Sequence, residues 1–114
     1  MDTHYSIESL REIAGDDEDF MAVVAQTFLD EIPPDLAALE EAVSNNNKDL
    51  AYQFAHKMKP NFEMFGLGLE KDITTIETWT KTSKSVTAIL ENVEKVVSTV
   101  TTVIEELKRD FDIQ

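Results

Sequence analysis

The sequence predicts an all-α fold, an antiparallel four-helix bundle with a short additional N-terminal helix and short loops. Three observations carry that expectation. Apolar residues recur at spacings of three and four along almost the whole 114-residue chain. Three Gly and three Pro are too few for a loop-rich all-β fold. With 42% apolar residues and no cysteine, the chain can bury a core without disulfides or thiolate-bound metal. The length suits one domain, residues 1–114.

The first helix is expected from Ser6 to Ile13, with Ile7, Leu10 and Ile13 spaced by three and Gly15 beyond its end. Asp16 is positioned to cap a second helix whose first turn is acidic, which suits the helix dipole. Its apolar positions are Phe20, Val23, Val24, Phe28, Leu29 and Ile32. Pro33 and Pro34 are expected to end it, with Pro34 in the first turn of a third helix carrying Leu36, Leu39 and Val43. Ser44 to Asn47 read as a turn, with Asn46 or Asn47 as the next cap.

The fourth helix begins near Lys48 and carries Leu50, Ala51, Phe54, Ala55, Met58, Phe62 and Phe65. Gly66 and Gly68 mark its end. A fifth places Leu69, Ile73, Ile76 and Trp79 inward and stops at the Thr/Lys/Ser cluster 80–85. The last is long, with Val86, Ile89, Leu90, Val93, Val97, Val100, Ile104, Leu107 and Phe111. Within it, Val96 to Ile104 is β-branched enough for a strand by propensity. The unbroken spacing of three and four on both sides, and the lack of a second strand to pair with it, assign it to helix.

Charge limits the partners. A formal net charge of −13 disfavours nucleic acid and anionic membrane, because phosphate binding needs clustered Lys and Arg. No apolar run reaches the roughly 18–20 residues of a membrane span. The start of the chain, Met1-Asp2-Thr3-His4, lacks the basic and apolar regions of a signal peptide. A cytoplasmic protein is therefore expected, and a monomer, since no second apolar stripe is evident. The charge is unevenly spread. Residues 1–34 hold nine acids and one base, whereas residues 48–71 hold Lys48, Lys57, Lys59 and Lys71 against three acids. The locally basic segment contains His56.

At about 100° per residue, His56 points about 160° away from the core direction of its helix. Lys59, Glu63 and Gln53 flank it on the exposed face, with Lys57 further round. A neutral imidazole offers a ring nitrogen as nucleophile, and an ammonium three residues on can hold an anionic phosphoryl group. A surface His beside a surface Lys is also a common solvated pair, and geometry alone leaves both readings open.

The string Ala55-His56-Lys57-Met58-Lys59, followed by Phe65-Gly66-Leu67, resembles the signature of histidine phosphotransfer (HPt) domains. That pattern runs Ala-His-x-Leu-Lys-Gly, with a further Gly ten residues after the His, the place of Gly66. The likeness extends over the chain: a short opening helix, the acidic turn Gly15 to Phe20, the helix–Pro–helix from Phe28 to Val43, and a long last helix. It implies a phosphorelay intermediate in two-component signalling. His56 would exchange a phosphoryl group with the Asp of response-regulator receiver domains, supplied by a hybrid sensor histidine kinase. Lys59 would steady the phosphate. Lys57, Gln53, Pro60, Glu63, Met64 and Gly66 would lie where partners dock. The receiver would bring the magnesium, and the chain itself would hold no cofactor and, without its partner, not be an enzyme.

Two departures bear on transfer. Pro60 stands where the family has Gly, cannot donate an N–H to the His56 carbonyl and is expected to kink the helix. Glu63 shares the His56 face and repels a phosphoryl group unless it pairs with Lys59, four residues away. A module that binds receivers or kinases without transferring phosphate, and an unrelated helical adaptor, therefore stand as alternatives.

Other residues carry less. His4 has no ligand at metal spacing and reads as solvated. Asp16 to Asp19 lack the glycine and terminal Glu of a calcium loop and read as a capped helix start. No Glu-x-x-His pair supports a di-iron site, and Gly66 with Gly68 forms no phosphate loop. Phe62, Phe65 and Trp79 read as core, and Met64 as exposed.

Overall fold

The computed structural model describes residues 3–113. Among them there are five α-helices and no strand: α1 (Ile7–Ala14), α2 (Glu18–Ser44), α3 (Lys48–Met64), α4 (Glu70–Trp79) and α5 (Leu90–Asp110). A single 3₁₀ turn, Val86–Ala88, leads into α5. The molecule measures 46 × 24 × 24 Å. Its long axis is set by α2, whose 27 residues rise about 1.5 Å each. α2 packs on α3, α3 on α4, α4 on α5 and α5 back on α2, while α1 lies against α2 and α3.

Local chemistry defines the ends. Ser6 caps α1 by accepting from Ser9 N, Asp17 caps α2 by accepting from Phe20 N, and Asn47 caps α3 by accepting from Leu50 N. Asp17, one residue past the expected Asp16, therefore does the capping. α3 closes with Gly66 at φ +64° and Leu67 N donating to Phe62 O, and α2 with Asn46 at φ +56° and Asn47 N donating to Ala42 O. Both are Schellman closures.

The largest departure from expectation is at Pro33 and Pro34, which lie inside a continuous α2 rather than ending one helix and starting another. Each ring removes a backbone hydrogen bond, at about 3 kcal/mol in a helix interior. The buried stripe Met21, Ala25, Phe28, Ile32, Leu36, Leu39 and Val43 runs through both prolines at spacings of three and four. Packing that whole stripe into one core opposes the break.

The same stripe explains why Phe20 and Val23, expected to face inward, are 44% and 59% exposed. Met21 and Ala25 take the inner positions. Ile13 and Leu50, also expected inside, are 54% and 40% exposed at the edges of their helices. In α5 the buried line is Val93, Val96, Val100, Val103 and Leu107; Val97 and Ile104, expected within it, are half-buried on its flank. The β-branched run from 96 to 104 is helical. The last helix starts at Leu90 rather than Val86, because Val86–Ala88 forms the 3₁₀ turn.

Small side chains place α3 against its neighbours. Ala25, Ala51 and Ala55 are fully buried, letting the backbones approach, and Met58 and Phe62 fill the space beyond. Phe65 packs on Phe28 with ring centres 4.5 Å apart and planes tilted by 47°. Since this face of α3 is buried, the opposite face, with His56, is outward.

The segment before α1 is tied down. Ser6 N donates to Phe65 O at 2.7 Å. His4 N and His4 Nδ1 donate to the two carboxylate oxygens of Glu106, both at 2.8 Å, and Tyr5 Oη donates to Asp110 Oδ2 at 2.7 Å. His4, expected to be solvated, is thus held by a nearly buried carboxylate of α5, although its ring stays half exposed. Burial and the neighbouring Asp110 push the Tyr5 phenol above its ordinary range, and the Arg109 guanidinium on Asp110 Oδ1 holds that carboxyl below the usual one. No helix among the described residues is long and apolar enough to cross a membrane.

Candidate functional site

His56 sits at the centre of α3 with its side chain 63% exposed. Two contacts fix the ring. Tyr52, one turn earlier, stacks on it at 5.5 Å between centres and 7° between planes. From α4, Glu77 Oε2 lies 2.8 Å from His56 Nδ1. A carboxylate can only accept, so Nδ1 carries the proton, and in the neutral ring Nε2 keeps its lone pair. Nε2 has no hydrogen-bond partner among the described residues. The ring is held by one nitrogen and presents the other, a nucleophile that needs no base to deprotonate it.

Glu77 is nearly buried, and its second oxygen, Oε1, lies 3.5 Å from Lys59 Nζ. Lys59 and His56 are therefore joined through one carboxylate rather than directly. The Lys59–Glu63 pair that would neutralise the Glu63 carboxylate is not made: Lys59 turns toward α4, and Glu63 is exposed without an ion pair among the described residues. Helix-surface pairs are worth only a few tenths of a kcal/mol, so the partly buried Glu77 wins the ammonium.

These side chains line a surface cleft of about 310 Å³ formed by Tyr52, His56, Lys59, Thr74, Glu77, Thr78 and Lys81. Gln53 lies in an adjoining cleft with Asp49, Tyr52, Thr80 and Lys81. The two clefts share Tyr52 and Lys81.

The other sequence candidates are placed elsewhere. Lys57 leans away toward α2, where its Nζ is 3.0 Å from Oδ1 of the buried Asp35. Pro60 is exposed within an unbroken α3. Met64, expected to be exposed, is half-buried against the core, because α3 ends there and its last turn folds under the segment before α1. Gly66 lies at that same end. A Cβ there would stand 2.8 Å from Ser6 Cβ and 2.9 Å from Ser9 Oγ, so the missing side chain is accounted for within this chain.

Glu77, Tyr52 and Lys81 were not singled out from the sequence. Tyr52 was legible in principle, being four residues before His56 on the same helix face. Glu77, on α4, and Lys81, in the turn after it, reach the site only through the register of α4 against α3, for which no local pattern exists. Among the described residues, no group of three His, Cys, Asp or Glu is placed to hold a metal ion. No protein-family model, no curated protein and no solved structure matches the chain.

Proposed function

We propose that this chain is a phosphohistidine carrier: a helical bundle of HPt type that accepts a phosphoryl group on His56 Nε2 and passes it on. The observation that carries the reading is the placement of the His56 ring, with Nδ1 2.8 Å from Glu77 Oε2, Nε2 without a partner among the described residues, and Lys59 in the same cleft. The sequence likeness around His56 and Gly66 points the same way. In this reading α2, α3, α4 and α5 are the four helices of the bundle and α1 is the added one.

The chemistry is a reversible phosphoryl exchange. Nε2 attacks the phosphorus of an aspartyl phosphate on a receiver domain; the N–P bond forms as the acyl phosphate P–O bond breaks, and the carboxylate leaves. The Nδ1 proton stays with the ring, so the phosphorylated ring is cationic and its positive charge faces Glu77. A cationic ring is a good leaving group for the return step. Magnesium and the acidic pocket belong to the receiver. Lys59 offsets the phosphoryl charge and shares Glu77 with the ring.

The test is phosphorylation of the chain by a panel of receiver domains preloaded with phosphate, and by the small donor phosphoramidate, beside His56→Ala. Label that is acid-labile, base-stable and absent from His56→Ala is expected. Binding to receivers with no label from either donor would identify a phosphorylation-silent module instead, with Pro60 and Glu63 as the first residues to revert.

A further inference from the structure

Lys59 and Lys81 line the His56 cleft and Lys57 follows His56 on α3, and two of the three are already committed. Lys57 is taken by Asp35 and Lys59 by Glu77. Lys81 is exposed, lines the His56 cleft and the cleft beside it, and takes part in no ion pair among the described residues. Within the cleft the charges of Glu77 and Lys59 cancel. A phosphoryl group on Nε2 would bring close to two negative charges, of which the cationic ring offsets one, beside a carboxylate already present.

The backbone that carries Lys81 is held by a set of hydrogen bonds. Lys81 N donates to Thr78 O at 2.9 Å and Thr82 N to Trp79 O at 3.1 Å. Thr80 Oγ1 donates to Glu77 O and Thr82 Oγ1 to Trp79 O, both at 2.8 Å. Lys48 Nζ, reaching from the start of α3, donates to Thr82 O at 2.6 Å and lies 5.2 Å from the centre of the Trp79 ring. Trp79 Nε1 in turn donates to Lys84 O. The buried indole is thus the hub on which the turn hangs. A long cationic side chain leaves a hydrogen-bonded base at the edge of the cleft where an anion would form. Less conformational freedom is then lost when it closes on that anion.

We propose that Lys81 is a phosphoryl-binding residue of the His56 site, a second cation that compensates the phosphorylated state beside Lys59, which is shared with Glu77. This rests on the phosphohistidine reading, and the test separates the two. The 114-residue chain is incubated with phosphoramidate as wild type, Lys81→Gln, Lys81→Arg and Lys108→Gln. The last removes the same charge from the distant end of α5. In the reaction the Nε2–P bond forms, the P–N bond of the donor breaks and ammonia leaves. Formation and decay of phosphohistidine are followed by phosphorus NMR, with folding checked by circular dichroism.

Lys81→Gln is expected to form phosphohistidine about fivefold more slowly and to lose it faster, the size of one nearby charge at a partly screened surface. Lys81→Arg should restore both, Lys108→Gln should match wild type, and added salt should narrow the gap. Wild-type label with Lys81→Gln inside about twofold of it would overturn the assignment of Lys81 alone. No label on wild type from phosphoramidate or from phosphorylated receivers would overturn the phosphohistidine reading and this one together.

Discussion

Glu77 and His56, 21 residues apart, meet through a 2.8 Å contact at Nδ1 that leaves Nε2 the ring nitrogen without a partner among the described residues. Ring-nitrogen NMR of the wild type should show the proton on Nδ1. Glu77→Ala should release the ring into a mixture of both tautomers. On the proposed function, phosphorylation of His56 should then fall by about tenfold, the size of effect known for loss of the outer partner of a metal-bound His. Glu77→Gln, which keeps an acceptor but not the charge, should fall between. Equal tautomer populations in wild type and Glu77→Ala would remove Glu77 from the site.

Gly66 and Gly68 give a paired test of the α3 terminus. Both have positive φ, but only Gly66 has Ser6 and Ser9 where a Cβ would stand. Gly68→Ala should cost about 1 kcal/mol in backbone strain. Gly66→Ala should cost about 2–3 kcal/mol, because Ser6 must also move and its bond to Phe65 O weakens. Urea unfolding midpoints measure both, and equal losses would show that the Ser6 contact is easily relieved.

Pro60 leaves the His56 carbonyl without its helical N–H donor. Pro60→Ala supplies one and should stabilise the chain by about 1–3 kcal/mol. A lower melting temperature for that variant would mean that the native helix is fitted to the proline.

The clamp of Tyr5 on Asp110 predicts losses at both ends of the pH scale. Tyr5 has its pKa raised in the folded state, so its contribution is complete below the unfolded value of about 10 and is lost as pH climbs above it. Asp110 has its pKa lowered, chiefly by the Arg109 hydrogen bond, so its contribution is present above the unfolded value near 3.8 and disappears in stronger acid. Tyr5→Phe should cost about 1 kcal/mol at neutral pH and flatten the alkaline loss. An unchanged alkaline profile would place the sensitivity elsewhere.

What could be read from the sequence follows from the range of each interaction. The outward direction of His56 needed only the spacing of Ala51, Ala55, Met58 and Phe62, all on one helix and all buried. The helical state of Val96 to Ile104 came from the same periodicity against an opposing propensity. Pro33 and Pro34 misled because their cost is local, whereas the stripe that opposes a break there is paid back by contacts with α1, α3 and α5. Phe20 is apolar but stays 44% exposed, because the neighbouring Met21 has the phase of the buried stripe. Glu77 on His56, Asp35 on Lys57 and Glu106 on His4 lie 21, 22 and 102 residues from their partners. Nothing short-range encodes such pairs; they appear only when helices have found their register.

The bonds from His4 to Glu106 and from Tyr5 to Asp110 bring entry and exit of the described chain to one corner. A few linker residues could therefore join them into a ring, and new ends opened in the Asn45–Asn47 turn would leave every helix whole. The same adjacency lets the fold be carried as an insert in a loop of a host protein, since it returns the chain to its point of departure. His56, midway along α3, would be displayed identically in each arrangement.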